Sequence, residues 1–396
     1  MRSVTSRIKI FVKVMMSIGV LFFLIDGFLL IQSQSKRVGL SSTSDYPLRY
    51  SGVIHVHSLY SDGGGTVDDI IESGHKTGLD FIILTDHDTL QARLDGKQGY
   101  HSDILLIVGE EVNTSSGHLL SLGVGYHVQQ KGPLGLPLLL DNISKAGGVS
   151  LIAHPTGRRP WIDWTVDNVD GLEIFNADTA WRDDNILELI RALFFLPIMP
   201  LEAFNSLIDR PSKSIQLWLN HSQQTRLSIV GSADAHERIP IWQDLALPFP
   251  SYEDLFGLIR TYVITEVELT GDSVVDEDIL LNSIRRGSCY VVLEGYETAP
   301  GFSFDFNVGA ETFPMGARTK YKAGGQIEVV APSSGAIRIK LYRNGKVLAE
   351  TDEQKLLIDV PGPGLYHAEV YQLRSNYYYL KESLRIWIIS NSIMLK

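Results

Sequence analysis

The chain has 396 residues and a formal net charge of −11, with no long basic tract. That balance excludes the non-specific, counterion-releasing grip on duplex nucleic acid that needs clustered Lys and Arg, but it leaves room for a nucleotide or a short nucleic-acid end. Cys289 is the only cysteine, so an internal disulfide and a thiolate zinc cage are both excluded and any metal must be held by His, Asp and Glu.

In chain order, Arg2, Arg7, Lys9 and Lys13 precede an apolar run from Val14 to Ile31 that is long enough to span a bilayer and carries one charge, Asp26. The pattern predicts that residues 1–33 are a signal anchor or a signal peptide, with Ser33-Gln34-Ser35 as a weak cleavage candidate. The basic flank keeps the N-terminus cytoplasmic, so the bulk of the chain is expected on the extracytoplasmic side, membrane-anchored or exported. The Ser-rich stretch 34–48 reads as a linker. Over 49–297, strand-like apolar runs alternate with helical patterns. One helix is expected just after Thr66, whose hydroxyl can cap it, and others over Leu138–Ala146, Asp184–Leu193 and Ser212–Gln223. Such alternation predicts an α/β fold with βα units around a parallel sheet or barrel. After Gly295 the period changes to two, as in Phe302-Ser303-Phe304-Asp305-Phe306 and Ile337-Arg338-Ile339-Lys340-Leu341. Asn344-Gly345 is a hairpin signal and Pro361-Gly362-Pro363-Gly364 a turn, so 298–396 are expected to form a small antiparallel β-sandwich.

Metal-ligand residues recur where the strand-like runs of the first region end. His55-Val56-His57, Thr85-Asp86-His87-Asp88, Ala153-His154-Pro155 and Ser232-Ala233-Asp234-Ala235-His236 each follow one. In α/β enzymes that is where the chemistry sits. Imidazole and carboxylate together suit zinc, manganese or iron. Two-apart spacing in a strand would turn His55 and His57 to one face, and likewise Asp234 and His236. Asp62, in the turn Ser61-Asp62-Gly63-Gly64-Gly65, can swing inward because glycine lets the backbone approach closely. Glu111 could bridge two metals, with Glu110 as a rival, and His118 competes with His101. Asp86 and Asp88 are expected to orient His87 or cap a turn.

The ordered set H-x-H-x-x-x-x-D, T-D-H-D, G-x-E, G-H-L, A-H-P and G-S-A-D-A-H, spread over about residues 50 to 295, resembles the PHP (polymerase and histidinol phosphatase) family. The resemblance implies a distorted barrel of seven strands with outer helices, two or three divalent metal ions (Zn, Mn or Fe) and hydrolysis of phosphoesters. It implies one metal on His55, His57, Glu111 and Asp234, a second on Glu111, His118 and His154, and a third on Asp62, His87 and His236. Asp209-Arg210-Pro211, Trp218, Tyr252-Glu253 and Ile284 to Tyr290 are similar to members with a C-terminal β-domain; Leu219 departs where an acidic residue is usual.

The expected reaction is attack of an activated water on phosphorus, with Asp234 or His236 protonating the leaving oxygen. Arg158 and Arg159 suit a phosphate dianion. Glu173 and Asn176 are expected to line the same mouth, with Arg182 beside them, and Trp161 and Trp164 either flank a ring or form a lid. The expected partners are a small phosphorylated substrate or nucleotide, and the membrane through the N-terminal segment; oligomeric state is left open. Alternatives are hydrolysis of a non-phosphate bond such as an amide or lactone, or an anchored binding module that uses the barrel as scaffold.

Overall fold

A computed structural model describes residues 48–396 apart from 131–134, 166, 181–188, 191, 193, 195–199, 243–244, 296, 333–334 and 377–380, together with Lys13, Ser17 and Leu21. The expected N-terminal anchor or signal, nearly all of the linker, Arg182 and most of the helix expected over 184–193 therefore lie outside the described residues. Among the described residues no helix is long and apolar enough to cross a membrane.

The first region runs β1 (Arg49–Val56), α1 (Val67–Thr77), β2 (Phe81–Leu84), α2 (Gln91–Leu94), β3 (Gly99–His101), β4 (Ile104–Val108), β5 (Glu110–Thr114), β6 (Gly117–Leu122), α3 (Gly135–Lys145) and β7 (Val149–Ile152). It continues with β8 (Gly171–Asn176), α4 (Ala177–Ala180), α5 (Pro200–Asn205), α6 (Ser212–Ser222), β9 (Ser228–Ser232), β10 (Ile239–Trp242), β11 (Leu245–Leu247), α7 (Tyr252–Phe256), β12 (Arg260–Ile264), α8 (Ser273–Arg286) and β13 (Cys289–Val292). This is a mixed α/β fold followed by a β-rich region.

Local signals explain the helix starts. Thr66 and Asp69 form a reciprocal capping box at α1, and Gly78 ends that helix in the left-handed conformation. The inner face of α1 buries Val67, Ile70, Ile71 and Gly74, and each fully buried aliphatic side chain stabilises the fold by roughly 1.5–3 kcal/mol. Asp272 caps α8 by accepting from the Val274 and Val275 amides.

Strands β1, β2 and β4 pair in parallel, and β4 passes through Gly109 directly into β5. Strands β5, β6 and β7 pair antiparallel, then β7, β8 and β9 in parallel. Just beyond β9 the backbone returns to β1: Ala233 N donates to Ile54 O at 3.0 Å and His57 N to Ala235 O at 2.9 Å. These bonds close β1, β2, β4–β5, β6, β7, β8 and β9 into a ring of mixed strand direction. The ring is distorted because β1 forks. Its first residues, Arg49 to Gly52, pair with β12 while its last reach the end of β9. In the fork, the Thr261 hydroxyl accepts from Gly231 N and donates to Gly231 O, both at 2.9 Å.

The C-terminal region is not a separate body on a tether. A strand over Lys381–Ser390 pairs with β13, Tyr290 facing Ser390, so one sheet runs across the boundary expected at 297/298. A four-stranded sheet (Ser303–Val308, Glu311–Pro314, Gln326–Val330, Lys355–Asp359) faces that extension. Phe304, Phe306, Ile327 and Val329 from this sheet meet Ile339, Leu341, Val370 and Trp387 in one core, joined by Tyr262 and Tyr290 from the first region. The sheets are antiparallel except where Arg318–Thr319 pair in parallel with Ile393–Leu395. The hairpin turns at Asn344 and Gly345, with φ of 49° and 76°.

Candidate metal centre

Each ring strand that carries a ligand-type residue delivers it at one end of the ring. His55 sits in β1, His57 and His87 just past β1 and β2, Glu111 in β5, His118 in β6, His154 just past β7, and Asp234 and His236 just past β9. Strand alternation is not what aims the first pair. The β1–β2 register slips between Ile54 and Val56, and His55 takes φ = +67°. This bulge turns both rings inward, with centroids 5.0 Å apart. His154 (φ +27°) and Asp234 (φ +45°) are left-handed too. For non-glycine residues such conformations cost about 1–3 kcal/mol each and persist only where surrounding structure enforces them, typically at functional sites.

Glu111 is the hub, 1 % exposed. Its Oε2 lies 3.0 Å from His55 Nε2, 3.2 Å from His57 Nε2 and 3.2 Å from His87 Nδ1. Its Oε1 lies 2.5 Å from His118 Nδ1 and 3.0 Å from His154 Nε2. Asp234 Oδ1 stands 3.4 Å from His55 Nε2 and 3.5 Å from His57 Nε2. Asp62 reaches in from its turn, 3.4 Å from His236 Nε2 and 3.7 Å from His87 Nε2. All nine ligand-type residues that the sequence singles out therefore meet around one cluster. Three groups of donors converge closely: His57, Asp62, His87 and His236; His55, His57 and Glu111; His87, Glu111 and His118. This grouping shares His57 and His87 between sets that the family resemblance keeps apart.

The donor set fits divalent cations. His55 Nε2, His57 Nε2 and His87 Nδ1 are buried without a hydrogen-bond partner although each faces Glu111. Buried imidazole nitrogens aimed at a shared carboxylate without hydrogen-bond geometry are what a cation between them would satisfy. Electrostatics agree. Burial alone would push Glu111 up, but His55 and hydrogen bonds from His118 and His154 hold it well below the carboxylate range. Asp234, equally opposed by burial, is held well below by His55, His57 and His236. Burial lowers His55, yet Asp234, Glu111 and Glu173 carry it well above its usual value. His236 is pushed up to about 9, the hydrogen bond to Asp62 and the charge of Asp234 outweighing burial. Protons on these rings stand where positive charge is called for.

The surrounding contacts hold the donors in place. Glu173 accepts from His55 Nδ1 at 2.6 Å, from His154 N at 2.6 Å and from Asn176 Nδ2 at 2.9 Å. Asn176 Nδ2 also donates to Asp234 at 3.0 Å. Both residues, expected at the mouth, are buried behind the donors, where Glu173 fixes the tautomer that leaves His55 Nε2 facing inward. Asp86 accepts from Ser58 N, Ser58 Oγ and Ser61 Oγ, tying down the turn that carries Asp62. Asp88 accepts from Asn113 N and Nδ2. The glycines of that turn are sterically required: a Cβ on Gly63 would lie 2.3 Å from His57 O, and one on Gly64 2.5 Å from Glu237 O. Tyr252, whose role here has no local sequence signal, donates to His57 O at 2.7 Å across 195 residues.

The rivals point elsewhere. Glu110 binds His127 and Val128 N, and His101 binds Lys97 O. Cys289 is buried and its thiol is pushed up to about 12 by burial, far from nucleophilic use. Trp161 is buried and Trp164 stacks on His221, so both pack rather than present a face to the cluster.

The mouth is a cavity of about 210 Å³ bordered by His87, His118, His154, Arg158, Arg159 and His236. Arg159 Nη1 lies 3.2 Å from both His118 Nε2 and Asn113 Oδ1, whereas Arg158 has no partner among the described residues.

No family model matches this chain. The uncharacterized protein MJ1587 of Methanocaldococcus jannaschii is 24% identical over 168 residues, spanning 38% of this chain and 94% of its own. A two-domain structure from Bacteroides vulgatus, described as containing a predicted PHP-like metal-dependent phosphoesterase, aligns over 87% of this chain and 95% of its own with a TM-score of 0.42 at 13% identity. PsfC from Pseudomonas syringae aligns over 58% of this chain and 87% of its own with a TM-score of 0.36 at 14% identity. Likeness at these scores carries no chemistry; the side chains do.

Proposed function

We propose that the protein is a metal-dependent phosphoesterase of the PHP kind, holding two or three divalent ions (Zn, Mn or Fe) and hydrolysing a phosphate mono- or diester. The observation that carries this reading is Glu111, buried between five imidazoles, three of which turn an orphaned nitrogen toward it. His55, His57, Glu111 and Asp234 would hold one ion, Glu111, His118 and His154 a second, and Asp62, His87 and His236 a third. When bound, such ions supply Lewis acidity toward phosphoryl oxygens and lower the pKa of water at the site.

The chain's own residues do the rest. Glu173 and Asn176 keep His55 and Asp234 in position, which matters because ligands must stay within fractions of an ångström of productive geometry. Arg158, at the mouth and without a partner among the described residues, is placed to meet phosphoryl oxygens with its planar fork of donors, and Arg159 steadies His118 beside it. Asp234, held ionised by the imidazoles around it, has no proton to give the leaving oxygen, so of the two expected donors His236 is the one that can serve, and only where its ring is not holding an ion. Of the two His236 is the more exposed, at 26 % of its side chain against 7 % for Asp234. The basic flank and apolar run at the N-terminus extend the proposal to an enzyme working outside the cytoplasm, anchored or exported.

The test is a panel of phosphomonoesters, phosphodiesters, nucleotides and amides offered to the full-length protein before and after exhaustive chelation. Phosphoester turnover that vanishes with the metal, returns on its re-addition and is abolished in a His55→Ala, His57→Ala double variant is expected. Turnover that survives chelation, or that is confined to amides, would overturn the proposal.

A further inference from the structure

Beside the metal mouth lies a second and larger cavity, about 400 Å³, that shares His154, Arg158 and Thr179 with it. Its far wall is the loop and helix start from Asp209 to Ser214. Both acidic groups that line the cavity, Glu173 and Asp209, already have partners. Glu173 is bonded to His55 and His154, and Asp209 lies 3.2 Å from Arg385. Two of the cations do not: neither Arg158 nor Lys213 has a partner among the described residues.

The wall is held rigidly, and from the C-terminal sheet. Arg210 forms a two-pronged pair with the fully buried Glu369, Nε to Oε2 at 2.8 Å and Nη2 to Oε1 at 2.5 Å. Tyr371 also donates to Glu369, and the Arg210 guanidinium sits 5.7 Å over the Tyr342 ring. Across the cavity, Thr156 Oγ1 meets Ser214 Oγ at 3.2 Å. The β-rich region thus supplies the buttress for a chamber that opens beside the metal cluster.

Resting on the phosphoesterase reading, we propose that this chamber is a subsite for a second anionic group on the substrate, carried by the part that leaves. Arg158 stands between the two cavities and Lys213 belongs to the second alone. The substrate class is therefore a phosphoester whose leaving portion bears a carboxylate or further phosphate, rather than a neutral alcohol.

Two non-hydrolysable probes test this on the full-length, zinc-loaded protein: phenylphosphonate and 4-carboxyphenylphosphonate, with affinities measured by calorimetry. The carboxylated probe is expected to bind up to about fivefold tighter, the order of one exposed ion pair. Lys213→Ala, an exposed change that does not threaten the fold, should remove most of that preference. Equal affinities in the wild type, or a preference untouched in Lys213→Ala, would overturn the subsite. Hydrolysis of phenyl phosphate and 4-carboxyphenyl phosphate, followed in parallel, separates the two proposals. Turnover without the probe preference sinks the subsite alone; the preference without turnover of any phosphoester sinks the phosphoesterase reading alone.

Discussion

Replacing Glu111 by Gln perturbs the centre at its hub while keeping its shape. Either amide orientation sets an NH₂ group against imidazole nitrogens. If it replaces Oε2 it faces His55, His57 and His87 at 3.0, 3.2 and 3.2 Å, and if it replaces Oε1 it faces His118 and His154 at 2.5 and 3.0 Å. A donor then points where a cation should sit, and one negative charge is gone from both ion positions that Glu111 would share. Changing a group that merely orients a metal ligand weakens binding about 10–100-fold, so loss of a shared ligand should exceed roughly 100-fold, or ~2.7 kcal/mol, at each of these two positions. The Asp62, His87 and His236 set keeps its own carboxylate and should retain weaker binding. The assay is zinc titration against a chromogenic chelator, with near-ultraviolet circular dichroism to show that the variant is folded. A folded Glu111→Gln protein that binds zinc with wild-type stoichiometry and affinity would refute the bridging role.

Three further outcomes follow from the same geometry. Glu173→Gln should weaken zinc binding about 10–100-fold, less than Glu111→Gln does, because it frees the His55 tautomer without removing a ligand; equal losses in the two variants would contradict their separate roles. The metal-free protein should lose stability as pH rises. His236 is raised from 6.5 to about 9, so its contribution is complete below pH 6.5 and disappears as pH climbs through about 9. His55 and His154 are raised in the same sense, while His87, lowered chiefly by burial, opposes them. Glu111 and Asp234 are depressed, and their contribution is lost as pH falls below the unfolded carboxylate range. Thermal melts of metal-free protein should therefore decline from about pH 6.5 to 9.5, and a rise over that window would contradict the assignment. The stabilisation added by zinc should run the other way, growing as pH rises to about 9, where His236 sheds its proton.

What was legible in the sequence was local. A strand-like run followed by a ligand motif marks a strand end wherever it occurs, and His55, His87, His154 and Asp234 all lie at or just past such ends. The Thr66 cap and the Asn344-Gly345 turn are equally local. What escaped depends on partners far along the chain. The inward turn of His55 and His57 comes from a bulge against β2, which no two-residue alternation announces. Glu173 was visible as a strand-end carboxylate, but only its approach to His55, 118 residues away, shows that it faces the donors rather than the solvent. The change of period near Gly295 marks a new kind of sheet correctly, yet the pairing of β13 with Lys381–Ser390 carries that sheet across the expected boundary. The Arg210–Glu369 pair, linking residues 159 apart, has no local signature at all.

The central claim is that one buried cluster around Glu111 holds divalent ions. Its most direct test is the metal content of the purified full-length protein, measured by plasma mass spectrometry after dialysis against trace metal and compared with the His55→Ala, His57→Ala double variant. The account predicts two to three equivalents of zinc, manganese or iron in the wild type and a loss of at least one in the variant. Substoichiometric metal in the wild type after loading, or identical content in both proteins, would contradict it.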